Sequence, residues 1–225
     1  MRCVITAGPT YEPLDQVRRL TNFSTGTLGC ELANYLVDAG CEVDLLLGTS
    51  AAPTGLPRAN RIRAFTTTAD LLFRLEELSS EHASVGAVCH AAAVSDFMFG
   101  RIWERDENDV PHEIRSGKLS SRSGSLLAEL VPTTKIILRL RSLFPGARLV
   151  GWKYEVDGDR VGTVERGLEQ LHEAGTDLCV LNGPAYGQGY GLLSTDGRLN
   201  ELEARQDLFA ALLASFEQVT DVRGV

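Results

Sequence analysis

Short β-rich apolar runs that end in glycine or small residues, each followed by an amphipathic stretch, constrain this chain most. "RCVITAG" (Arg2–Gly8), "CEVDLLLG" (Cys41–Gly48), "RIRAF" (Arg61–Phe65), "VGAVCHAAAVSDF" (Val85–Phe97), "ARLVGW" (Ala147–Trp152) and "DLCVL" (Asp177–Leu181) read as strands. Helices are expected from Ser24 or Thr25 to about Gly40, over Thr68–Leu78 behind a Thr cap, and over Thr133–Phe144, Val161–Ala174 and Ala204–Phe216. Such alternation dictates a parallel sheet covered on both faces. The expected fold is α/β: a single doubly wound, mainly parallel, Rossmann-like sheet with helices on both faces. A C-terminal hairpin is expected in "GYGLLSTDGRLNEL", turning at Asp196-Gly197. With 225 residues and no repeat or linker, one domain over residues 1–225 is expected. Two stretches lack a period. Pro9–Thr21 reads as a long loop, and Met98–Arg122 reads as a charged loop expected to be a flexible lid at about 98–122.

The charge balance is 22 basic against 30 acidic residues, net −8. Broad binding to nucleic acid or to an anionic membrane is thereby disfavoured, while a local basic pocket remains allowed. No apolar run approaches a membrane span and no signal peptide is visible. The five cysteines (Cys3, Cys30, Cys41, Cys89, Cys179) lie mostly in apolar runs without a CxxC pair. They fit buried free thiols in a reducing, cytoplasmic setting. His82, His90, His112 and His172 show no metal-ligand spacing, so no resident metal site is expected.

In doubly wound sheets ligands bind beyond the carboxyl ends of the strands. That rule aligns "TAGPT" (Thr6–Thr10), "AAAVSDF" (Ala91–Phe97), "GWKYE" (Gly151–Glu155) and "NGPAYG" (Asn182–Gly187). A dinucleotide fingerprint needs G-x-G-x-x-G directly between the first strand and its helix. Here a loop intervenes before "STGTLG", so that unit is absent. "NFSTG" (Asn22–Gly26) enters a helix and reads equally as a phosphate site or as a cap. Arg18 and Arg19 upstream favour an anion site or are solvated surface charges. Asp96 can grip a ribose hydroxyl, help position a metal, or cap a helix. Lys118 in "SGKLSS" (Ser116–Ser121) is a lid lysine for phosphate or a surface lysine. Trp152 can stack on a base or pack in the core. The chain has no GxSxG, P-loop or HExxH motif.

Taken together and in order, these segments resemble the phosphopantothenoylcysteine synthetase (phosphopantothenate–cysteine ligase) family. "ITAGPTYEPLDQVRRLTNFSTGTLG" (Ile5–Gly29) is similar to that family's opening strand, loop and VR-x-x-x-N-x-S-[ST]-G-x-x-G signature. "AAAVSDF", "GKLSS", "KIILRLRSLFPGARLVGWKYEVD" and "DLCVLN" resemble its later motifs, and the layout resembles the stand-alone bacterial form. The resemblance implies joining of 4′-phosphopantothenate to L-cysteine in coenzyme A biosynthesis through an acyl-nucleotidyl anhydride. The nucleoside triphosphate would be CTP (or ATP), with Mg²⁺, in a homodimer. It further implies catalytic roles for Asn22, Lys118, Arg18, Ala92 and Ala93, the two alanines through their backbone amides. It places Gly8, Thr10, Asp96, Trp152 and Lys153 at the nucleotide and Ser24, Thr25 and Gly26 at the phosphorylated substrate. "AGPT" for the commoner "GGT", Lys153 after the aromatic residue, and "YGQGYGLLSTD" depart from the family pattern. Two other classes are an NAD(P)-dependent short-chain dehydrogenase-like enzyme and a non-catalytic nucleotide-binding paralogue. The first requires Tyr-x-x-x-Lys, but Tyr154 is followed four residues on by Gly158 and Tyr186 by Tyr190.

Overall fold

The structure, a computed structural model, describes residues 1–81, 84–106, 108–114, 117–119 and 125–222. In chain order the elements are β1 (Arg2–Ala7), β2 (Tyr11–Pro13), β3 (Arg19–Thr21), α1 (Thr27–Asp38), β4 (Glu42–Gly48), β5 (Arg61–Phe65), α2 (Thr68–Glu81) and β6 (Ala87–His90). They continue with β7 (Phe97–Arg105), β8 (Pro111–Glu113), β9 (Leu126–Pro132), a 3₁₀ turn (Ile136–Arg139), α3 (Leu140–Leu143), β10 (Arg148–Tyr154) and α4 (Arg160–Ala174). β11 (Leu178–Asn182), β12 (Tyr190–Ser194), β13 (Leu199–Leu202) and α5 (Arg205–Val222) complete the chain.

Eight strands form the central sheet in the order β13-β12-β11-β10-β6-β1-β4-β5. The six from β11 to β5 are parallel, and the expected β12–β13 hairpin adds two antiparallel strands. From β1 the chain winds outward through β4 and β5. It then returns to the other side of β1 as β6, so the strand order reverses between β1 and β6. Parallel strands are buried on both faces, which is why Cys3–Ala7 are wholly enclosed. One face packs Ile5, Leu45, Val150 and Val180 against Leu32, Leu36, Phe209 and Leu212 of α1 and α5. The other packs Val4, Leu46, Val88 and Leu149 against Leu71, Leu75, Leu78 and Leu140 of α2 and α3, with α4 covering Cys179, Leu181 and Leu193. Each fully buried Leu or Phe is worth about 1.5–3 kcal/mol relative to exposure. All five cysteines are buried free thiols.

Four expectations need correction. Pro9–Thr21 is not a plain loop: β2 and β3 pair there as an antiparallel ribbon, Tyr11 opposite Thr21. Met98–Arg122 is not a structureless loop either. Its described part holds β7 and β8, which join β9 in a separate three-stranded antiparallel sheet with a register shift between Phe99 and Ile102. Glu107, Arg115, Ser116 and Ser120–Arg122 of that stretch lie outside the described residues. The strand expected over Val85–Phe97 ends at His90, because the backbone of Ala91–Ala93 bonds to Thr6 and Gly8 at the end of β1. The helix expected over Thr133–Phe144 is reduced to the 3₁₀ turn and α3. Thr133 is held extended there, its N–H and hydroxyl donating to Asp96 O (2.9 Å) and Ser95 O (2.5 Å).

Candidate active site

The carboxyl ends of β1 and β6, where the strand order reverses, carry Gly8, Thr10, Ala92 and Ala93 of the expected site residues, and Asn22 reaches them from the loop before α1. β1 leaves the sheet through Gly8, whose φ of 82° is left-handed. Pro9 then bridges Ala93. The Ala93 carbonyl accepts two donors, Thr10 N–H at 3.1 Å and Asn22 Nδ2 at 3.0 Å. Thr10 Oγ1 accepts the Ser95 N–H at 2.8 Å and donates to Ser95 Oγ at 3.1 Å, both buried. The two strand ends and the loop before α1 thus meet at one carbonyl. Asn22 keeps its Oδ1 and second amide hydrogen for other partners.

The backbone N–H groups of Ala92 and Ala93 are engaged within the fold. The Ala92 N–H goes to Thr6 Oγ1 at 3.1 Å and the Ala93 N–H to Gly8 O at 3.0 Å. Their contribution here is to hold the two turns together. Thr6 Oγ1 also lies 2.9 Å from Nδ1 of His90, which is only 6% exposed. The tautomer with the Thr6 hydroxyl donating to Nδ1 leaves no buried hydroxyl proton without an acceptor. Burial pushes the His90 pKa down to about 4, so the ring is neutral near pH 7.

The loop ahead of α1 answers the question of phosphate or cap in part. Neither Ser24 nor Thr25 caps α1. The cap residue is Gly26, at φ 76°, which has no side chain of its own to bond a helical N–H. Ser24 Oγ accepts Gly26 N–H at 3.4 Å and Thr25 Oγ1 accepts Thr27 N–H at 3.3 Å, so both hydroxyls shape the turn. Gly26 and Gly8 lie backbone to backbone: a Cβ on Gly26 would stand 3.0 Å from Gly8 Cα and N.

On the next two strands, Trp152 and Lys153 separate. Adjacent residues of a strand point to opposite faces. Trp152 packs on the α1–α5 side, with its Nε1 buried and unbonded among the described residues. Lys153 pairs with Glu155 at 3.3 Å, and Glu155 also takes Arg166 of α4 at 3.1 Å. Lys153 and Trp152 thus leave β10 on opposite faces, Lys153 toward α4. Asn182, at the end of β11, likewise has a buried Oδ1 without a partner among the described residues. A cavity of about 670 Å³ opens there, lined by Tyr154, Asn182, Gln188, Tyr190, Glu203 and Arg205 among others. Arg205 is fixed by Glu31 of α1 at 2.9 Å and by the Tyr190 hydroxyl at 3.3 Å.

Asp96 is exposed and ion-paired with Lys135, which follows β9. Lys118, also exposed, belongs to Gly117–Leu119, a segment docked on the β2–β3 turn. Arg18 there donates to Leu119 O at 2.8 Å and pairs with Asp15 at 2.6 Å. Among the described residues no three His, Cys, Asp or Glu side chains converge to cage a metal, and no helix is long and apolar enough to cross a membrane.

Residues 1–209 match the family model described as the DNA/pantothenate metabolism flavoprotein C-terminal domain. The chain belongs to this family. It is 35% identical over 182 residues to the coenzyme A biosynthesis bifunctional protein CoaBC of Thermococcus kodakarensis, covering 80% of this chain and 41% of that protein. The chain thus spans less than half the length of that relative. The crystal structure of the DNA/pantothenate metabolism flavoprotein from Streptococcus pneumoniae superposes with a TM-score of 0.82 at 26% identity, covering 97% of this chain and 99% of that one. The Cab2 H337A mutant in complex with phosphopantothenate-cysteine shares the fold, with a TM-score of 0.73 at 19% identity over all of this chain and 89% of that one. Within this family fold, Asp15, Thr6, His90, Lys135 and Asn182 make contacts for which sequence reasoning gave no role.

Proposed function

We propose that the chain is a phosphopantothenate–cysteine ligase acting in coenzyme A biosynthesis. The carrying observation is the meeting of Asn22 and Thr10 on the Ala93 carbonyl at the reversal of strand order, inside a family match that runs to residue 209. The pantothenate carboxylate oxygen attacks the α-phosphorus of CTP or ATP, and pyrophosphate leaves. The cysteine amine then attacks the acyl carbon, loses a proton, and expels the nucleoside monophosphate. The first step brings two anions together, and Lys118 neutralises the charge that builds on the α-phosphate. In the second, the Asn22 amide hydrogen not spent on Ala93 steadies the acyl oxygen.

Gly8 and Thr10 form the turn for the nucleotide phosphates, and Ser24, Thr25 and Gly26 receive the phosphorylated substrate; a side chain on Gly26 would fill the space between Gly8 and Gly26. The unpartnered Trp152 Nε1 and Asn182 Oδ1 support a nucleoside lying over β10 and β11, with the adjoining cavity as room for it. Mg²⁺ keeps most of its water and needs one or two carboxylates plus phosphate oxygens. It would arrive on the triphosphate and take Asp96, and it would screen the phosphate charge. The ligase acts as one domain in the cytoplasm, with Gly117–Leu119 presenting Lys118 to the nucleotide. A homodimer is supported by the apolar residues exposed on the small sheet, Phe97, Met98, Leu127 and Leu130.

The test is a single-turnover assay with labelled CTP or ATP, Mg²⁺ and phosphopantothenate, with and without cysteine. Asn22→Asp is expected to release pyrophosphate and accumulate acyl-nucleotide without forming the amide. Lys118→Gln is expected to fail at pyrophosphate release. Each loss should be on the order of 10²–10³ in rate. Nucleotide binding without turnover in the unaltered protein would favour the non-catalytic paralogue. Both steps at full rate in Asn22→Asp would refute the role of that residue.

A further inference from the structure

The turn between β2 and β3 contains a carboxylate with more bonds than a turn requires. Asp15 Oδ1 accepts the N–H groups of Val17 (2.9 Å) and Arg18 (2.8 Å), which alone closes an Asx-type turn. Its Oδ2 is occupied by different partners. It accepts Arg18 Nη2 (2.6 Å), Arg18 Nε (3.1 Å) and the backbone N–H of Leu119 (3.1 Å), about a hundred residues away in sequence. Arg18 Nη2 returns to Leu119 O at 2.8 Å, and the Gln16 N–H donates to Gly117 O at 3.0 Å. Both backbone groups of Leu119 and the carbonyl of Gly117 are thereby held by one turn, and Lys118 is the residue between them.

The Asp15 side chain is shielded from solvent although Gln16, Val17 and Arg18 around it are exposed. The Arg18 guanidinium, with the three backbone N–H groups, holds its carboxyl well below the usual carboxylate range, so it stays ionised. Charge-assisted bonds of this kind are the short, directional ones. Leu119 anchors the segment from the other side, its own side chain being buried.

We propose that Asp15, with Arg18 as its second arm, is the positioning residue for Lys118. The Oδ2 set fixes the peptide from Gly117 to Leu119, so the lysine stem always starts from one place. Arg18 then acts on the segment that carries the lysine. This inference rests on the ligase reading for the role of Lys118.

Asp15→Asn separates the two functions of the carboxylate. The amide oxygen still accepts the Val17 and Arg18 N–H groups, but the NH₂ cannot accept from Arg18 or Leu119. Hydrogen exchange at Leu119 is expected to accelerate at least about tenfold, with α1 amides unchanged, since a released segment opens locally. Pyrophosphate release should slow by about 10–100-fold, because small misplacements of a catalytic group carry such factors. Conversion of supplied acyl-nucleotide and cysteine to the amide should stay at the unaltered rate. In a Lys118→Gln background the Asp15→Asn change should slow pyrophosphate release no further.

A turn residue without this role would slow both backgrounds by the same factor, and that result overturns the proposal. So does Leu119 exchange that is identical in the two proteins. If the unaltered protein releases no pyrophosphate, the ligase reading fails, and the Leu119 exchange rate still decides whether the clasp exists.

Discussion

Helix α1 begins and ends on left-handed glycines, Gly26 at φ 76° and Gly40 at φ 81°, and the pair makes an internal control. At the far end the Gly40 N–H donates to Val37 O at 3.0 Å and the Cys41 N–H to Leu36 O at 2.9 Å, a Schellman stop. An alanine at either position pays the left-handed penalty of about 1–2 kcal/mol. The stiffer unfolded chain offsets about 0.4–1 kcal/mol of it. A Cβ on Gly40 meets nothing within 4 Å, so Gly40→Ala should cost about 1 kcal/mol. A Cβ on Gly26 would stand 3.0 Å from Gly8 Cα and N and 3.3 Å from Ala51 Cβ. Gly8 is held in place: its carbonyl accepts the Ala93 N–H at 3.0 Å. Overpacking adds about 1–3 kcal/mol. Gly26→Ala should therefore cost about 3 kcal/mol, roughly 2 kcal/mol more than its counterpart. Equilibrium urea unfolding measures the difference directly, and thermal melting should show it as a drop larger by about 4–8 °C. Equal losses for the two substitutions would refute the claim that the Gly8–Gly26 contact is tight.

His90 carries a pH signature. Its folded pKa of about 4 lies below the ordinary 6.5, so the unfolded chain binds the extra proton between those values and stability falls as pH drops through that window. Comparing His90→Gln with the unaltered protein by urea unfolding from pH 7 to pH 4 should isolate a loss of about 2–3 kcal/mol, at 1.36 kcal/mol per pKa unit. Parallel curves for the two proteins would refute it. The homodimer is tested by sedimentation equilibrium at micromolar concentration, where replacing Phe97 and Leu130, exposed on one face of the small sheet, by Asp should give monomer; a monomer in the unaltered protein overturns it.

The central sheet was legible because its strands are covered on both faces. Cys3–Ile5 and Leu45–Leu47 therefore read as unbroken apolar runs. The small sheet was illegible for the opposite reason. Phe97, Met98 and Leu130 are exposed beside Arg101 and Glu129, so its strands show neither an apolar run nor clean alternation. Asn22, Gly8 and Thr10 stood out through the order of their motifs. His90 was hidden inside an apolar run, and Asp15 resembled an ordinary turn former; only the fold brings Thr6 to the first and Leu119 to the second. The opposite directions of Trp152 and Lys153 were readable from strand alternation alone.

The placement of β1 at the middle of the sheet has a consequence for synthesis on the ribosome. β4 pairs with one edge of β1, but the other edge waits for β6, about 80 residues later. At about 5–20 residues per second that interval is roughly 4–16 s. Throughout it, the nascent chain presents Cys3–Ala7 as an open apolar edge, the kind that templates aggregation. The bonds that close this edge include those of Ala91 and Ala93 to Thr6 and Gly8, which also join the turns of the candidate site. Fragments that stop short of β6 are therefore exposed to chaperones or to aggregation, and the same pairing that rescues the chain completes its site.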